Sequence, residues 1–103
     1  MEKELIKQFW DYYGDKIKPE HQVFYCGKID TAALLDARTA QIPGMPRMAN
    51  AWVFFVDEMP EANWSHPCAY VLFPDIGIAP PVWIPARWPP SDEIPTLEVE
   101  RPQ

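Results

Sequence analysis

The chain has 103 residues, 48% of them apolar and 14% aromatic, with five Trp; this is enough for one packed domain and leaves little room for a second. Its 23% charged residues and its aromatic richness exclude the composition of a disordered protein. A net charge of −6 without any Lys/Arg stripe argues against direct nucleic-acid binding, which relies on clustered cations to displace counterions.

The charge is unevenly placed. Positions 1–48 hold seven Lys/Arg and seven Asp/Glu and cancel, whereas positions 49–103 hold only Arg87 and Arg101 against eight acids. A partner with a basic surface would be steered to that half. Proline is skewed the same way, since eight of the 13 fall in the last thirty residues, a stretch that can be neither a long helix nor a central strand. No run reaches the length of a membrane span, and the opening Met1-Glu2-Lys3-Glu4-Leu5-Ile6-Lys7 has no unbroken apolar segment. The expectation is a cytoplasmic protein with no membrane partner, in which Cys26 and Cys68 are free thiols.

In chain order, Leu5, Ile6, Phe9, Trp10 and Tyr13 recur at helical spacing and predict an amphipathic helix from Glu2 to Tyr13. Gly14 ends it or is carried through to Ile17, and Pro19 stops it either way. His21–Cys26 reads as a strand with Val23 and Tyr25 on one face and Phe24 and Cys26 on the other, after which Gly27-Lys28 turns the chain. Asp30 or Thr31 can cap a shorter second helix over 32–41, which the Pro-Gly pair at 43–44 breaks.

The apolar runs Ala51–Asp57 and Ala69–Phe73 are the natural centre of a sheet and predict neighbouring antiparallel strands joined by the polar loop 58–68. Val82-Trp83-Ile84 adds a short strand that Pro85 interrupts. Thr96–Glu100 alternates apolar and acidic residues, as an edge strand does, or a tail ordered only on a partner. The expected fold is α+β in one domain, 1–103. An antiparallel sheet of three to five strands carries the N-terminal helix and the shorter second helix on one face. A Pro-rich C-terminal arm wraps an edge, with 91–103 as a flexible acidic tail in the looser variant.

Three constellations bear on function. In Trp64-Ser65-His66-Pro67-Cys68, His66 and Cys68 lie two apart and share a side of an extended chain. With Cys26 and His21 they make up a Cys₂His₂ set for zinc, although neither a C-x₂-C nor an H-x₃-H spacing is present. The same residues outline a thiol enzyme, Cys68 or Cys26 acting as nucleophile with His66 or His21 as base and Asp75 or Asp57 orienting the imidazole. Asp57, Glu58 and Glu61 form an acidic strand end. The run from Pro80 to Pro90 presents Trp83, Arg87 and Trp88, residue types that dominate interface energies when they are not needed by the protein's own core.

These features favour a binding module over an enzyme. The first expectation is a small acidic inhibitor, immunity-type protein or phage-borne antagonist that occludes a basic surface on a partner protein. It would use Asp57, Glu58, Glu61, Trp64, Trp83, Trp88, Asp92 and Glu93, without a cofactor, and self-association is left open. The alternatives are a Cys/His-dependent enzyme or zinc protein using Cys26, His66 and Cys68, and a binder of a nucleotide-like small molecule in an aromatic pocket.

Overall fold

The computed structural model describes residues 2–31, 50–60, 66–74, 80–91 and 93–101. The helix expected at the start is α1, Glu2–Tyr13. Leu5, Phe9 and Tyr13, each four residues on from the last, are buried in a single stripe, and Tyr12 on the outer side is exposed. Gly14 ends the α-helix and opens a tight 3₁₀ turn, Gly14–Lys16, which returns Ile17 to the core.

Five strands follow: β1 Gln22–Ile29, β2 Ala51–Asp57, β3 Cys68–Phe73, β4 Val82–Ala86 and β5 Leu97–Val99. They form one sheet in the order β4-β3-β2-β1-β5, every neighbouring pair antiparallel. The two apolar runs at the centre are therefore β2 and β3, paired from Trp52↔Phe73 to Asp57↔Cys68. Both are buried almost throughout, as strands covered on two faces must be.

Alternation sorts the core into two layers. On one face Val23, Phe54, Val56, Ala69, Val71, Phe73 and Val99 receive Leu5, Phe9, Tyr13 and Ile17 from the helical segment. On the other, Cys26, Val53, Phe55, Cys68, Tyr70, Leu72 and Ile84 pack together, with Phe24 and Ile94 against them.

Three expectations change. Gly27-Lys28 does not turn the chain: β1 runs through it to Ile29 by a bulge between Tyr25 and Gly27, where Gly27 takes φ +87°, a conformation that residues with a Cβ seldom adopt. Pro85 does not interrupt β4, because β4 is an edge strand and a residue lacking an N–H can sit on its unpaired side. The Pro-rich stretch is also not an arm around an edge. Its first part is the β4 edge itself, and Pro89, Pro90, Ser91, Ile94 and Thr96 then border the second face of the sheet before the chain enters β5 on the opposite edge. The alternating segment at 96–100 supplies that edge strand, with Val99 buried and Leu97 and Glu98 exposed. The second helix expected over 32–41 lies outside the described residues. Among those described, no helix is long and apolar enough to cross a membrane.

Arg101 closes the domain. Its Nη2 donates to the Gly14 carbonyl at 3.3 Å and to the Ile17 carbonyl, and its guanidinium lies 4.9 Å over the Trp10 ring. These carbonyls stand at the negative end of the helical segment, where a cation is favoured. Arg101→Ala is expected to lower stability by about 1–2 kcal/mol from the charge-assisted bonds and the ring contact. A urea titration followed by Trp fluorescence reads this directly; a midpoint equal to that of the parent would show the latch to be energetically idle.

Candidate binding site

The register brings Gln22, Asp57, Cys68 and Ala86 side by side at one end of the sheet, where β2 ends and β3 begins. Asp57 is the last residue of β2 and follows Phe55 on the second face. Its Oδ1 accepts the Met59 N–H at 3.0 Å and lies 2.9 Å from His66 Nε2. The pair is well covered, with side-chain exposures of 8% for His66 and 16% for Asp57. Asp57 thus orients the His66 imidazole, one of the arrangements expected from sequence. The His66 backbone N–H donates in turn to the Arg87 carbonyl at 3.2 Å, joining the β3 entrance to the segment that leaves β4.

That segment is pinned a second time. The Trp88 carbonyl accepts from the Tyr70 hydroxyl at 2.9 Å and from the Cys68 thiol at 3.6 Å. The backbone of Trp88 is therefore fixed on two core side chains while 44% of the residue remains exposed. Met59 is exposed to a similar degree at the same end of the sheet and Glu58 is half-buried, while Glu93 is exposed on the crossing, its N–H donating to Ser91 Oγ at 3.4 Å.

Between the second face and the C-terminal crossing lies a cleft of about 310 Å³. The sheet contributes Phe24, Phe55 and Asp57, and the crossing contributes Pro89, Pro90 and Ser91, with Ile94 and Thr96 completing the border. Phe24 and Phe55 are cross-strand partners whose rings stack at 6.2 Å and 28°.

The thiols are set against nucleophilic use. Burial pushes Cys26 up to about 12, and burial pushes Cys68 to about 12 as well, with Asp57 and Glu58 acting in the same direction and Arg87 opposing them. Each is a neutral thiol at pH 7, and the Cys68 hydrogen is directed at the Trp88 carbonyl. Burial raises the neighbouring Tyr70 hydroxyl as well. Cys26 and Cys68 share the second-face core around Tyr70. His21 precedes β1, and its Nδ1 accepts the Lys18 N–H at 3.2 Å. Among the described residues no group of three or more His, Cys, Asp or Glu side chains is gathered as a metal ion would require.

Of the residues expected to meet a partner, Asp57, Glu58 and Trp88 come together at this end, and Glu93 lies on the crossing between the cleft residues Ser91 and Ile94. Trp83 is not among them. It lies on the helix face, its ring 5.3 Å from Tyr13 and capped by Lys16 Nζ at 4.9 Å. Glu61, Trp64 and Asp92 lie outside the described residues, as does Asp75. Sequence reasoning missed Tyr70, read only as core, and the pairing of Phe24 with Phe55 as a cleft lining. The alternation of β1 and β2 held that second signal once their register was known. Comparison of the chain with protein-family models, with curated proteins and with solved structures finds no match.

Proposed function

We propose that this chain is a non-catalytic binding module that covers a basic surface on a partner protein, with the Trp88 end of the sheet as its contact face. The observation that carries the reading is the anchoring of Trp88. An aromatic side chain that is exposed on a backbone already immobilised by Tyr70 and Cys68 loses little entropy on docking, which is how a contact residue becomes a dominant one. Glu58 beside Asp57 and the exposed Glu93 on the crossing supply the negative charge that steers a cationic partner. A thiol enzyme or zinc protein is the less favoured reading, because Cys68 is a buried hydrogen-bond donor and the His66 ring is turned to Asp57.

The test is capture of the partner from the chain's own host, followed by binding measurements with variants. Trp88→Ala leaves the pinned carbonyl in place and is expected to weaken binding about 30-fold or more, the range of a central aromatic anchor. Glu58→Lys with Glu93→Lys should slow association and flatten its salt dependence. Binding indifferent to all three changes, or no partner at all, would remove the proposal.

A further inference from the structure

The cleft on the second face has a chemistry of its own. Phe24, half-buried, presents its ring to the cleft with the buried Phe55 stacked beside it, and the sheet register sets a carboxylate on either side of the pair. Asp57 follows Phe55 by two positions and shares its face, while Glu98 is the cross-strand partner of Phe24 on β5. Asp57 is half satisfied. Oδ1 takes both the Met59 N–H and the His66 ring, and among the described residues no donor reaches Oδ2. A largely covered carboxylate with one open oxygen on an aromatic cleft calls for a flat cation with N–H donors.

We infer that the cleft receives an arginine side chain of the partner, its guanidinium lying over Phe24 at the border of Phe55 and donating to Asp57, with Glu98 on the neighbouring edge strand supplying the second negative charge. This rests on the basic partner proposed above. Arginine fits better than lysine because its planar, weakly hydrated head stacks on rings and forks onto a carboxylate, whereas an ammonium must be stripped of water. A phosphate-bearing ligand would meet Asp57 and Glu98 directly, with Glu58 and Glu93 beside them. Arg87, just past β4, acts on Cys68.

The experiment is an amide NMR titration of the full chain with N-acetyl-arginine methylamide, and in parallel with its citrulline counterpart, which keeps the shape and loses the charge. The arginine probe should shift the resonances of Phe24, Phe55, Asp57 and Ser91 in the millimolar range expected of a single side chain, and citrulline should bind about tenfold more weakly or not at all. Asp57→Asn should remove most of the response. Glu98→Gln, on an exposed position of an edge strand where folding is not at stake, should weaken it about two- to threefold. Equal binding of both probes, preference for N-acetyl-leucine methylamide, or shifts of the same residues by inorganic phosphate would each overturn the assignment. If the arginine probe binds but no partner depends on Trp88, the contact face proposed above falls and the cleft's preference for a guanidinium stands; the converse result removes the cleft assignment alone.

Discussion

Replacing Phe54 by Ala is expected to cost about 3–5 kcal/mol, the range for deleting a buried aromatic, out of a total that for a domain of this size is about 5–15 kcal/mol. Phe54 is fully buried in the central strand. Its ring stacks on Phe9 at 4.7 Å, meets Tyr25 at 5.1 Å and meets Phe73 edge-on at 5.7 Å, so one side chain joins the helix, β1 and β3. Its removal leaves a cavity under α1 that none of these rings can fill without leaving its own contacts. Phe54→Leu retains much of the volume and should lose about half as much or less. Urea unfolding followed by Trp fluorescence measures both. A loss below about 1 kcal/mol for the Ala variant would mean that the helix does not pack on the sheet through this residue.

The second large effect is a loss of stability in alkali. Cys26 and Cys68 rise from an ordinary 9.0 to about 12 in the fold, chiefly through burial. Below pH 9 both states hold the thiol protons and the fold is at full strength. Between pH 9 and 12 the unfolded chain gives up protons that the folded chain keeps, so the balance shifts toward unfolding. Cys26 contributes up to about 1.4 kcal/mol per pH unit, and Cys68, whose shift Arg87 opposes, a smaller share. Tyr70 acts in the same sense. The stability of a Cys26→Ala, Cys68→Ala protein should therefore fall less steeply over this range than that of the parent. In the native parent at pH 8, alkylation of both thiols should be slow and should become fast on adding urea. Rapid labelling of Cys68 in the folded protein at neutral pH would return it to consideration as a nucleophile.

Helix α1 and the bounds of β2 were legible because their signal is local: the apolar stripe from Leu5 to Tyr13 and the unbroken run from Ala51 to Val56 need no knowledge of the rest of the chain. The bulge at Gly27 was not, since a glycine with positive φ inside a strand looks, in sequence, like the turn that ends one. Pro85 misled for a related reason. Proline forbids a central strand but not an edge, and only the sheet order says which β4 is. At the site, Asp57 and His66 were visible as chemistry, and their contact was one of several pairings the sequence left open. The neighbourhood of Phe24 and Glu98 could not be read at all, because it arises from pairing β1 with a strand some seventy residues further on.

That same pairing sets an order of events during synthesis. β1 emerges early, but its outer edge is closed only by β5, the last of the described strands to be made. At ribosomal speeds of about 5–20 residues per second, several seconds pass in which Val23, Phe24 and Tyr25 present an open backbone edge to any other nascent chain. The acidic Glu98 on an edge strand of only three residues, with Glu100 just past its end, then leaves a finished border that is short and negatively charged, and so a poor template for a second copy. The vulnerable period of this protein is thus its birth, and chains truncated before Leu97 are the ones expected to aggregate.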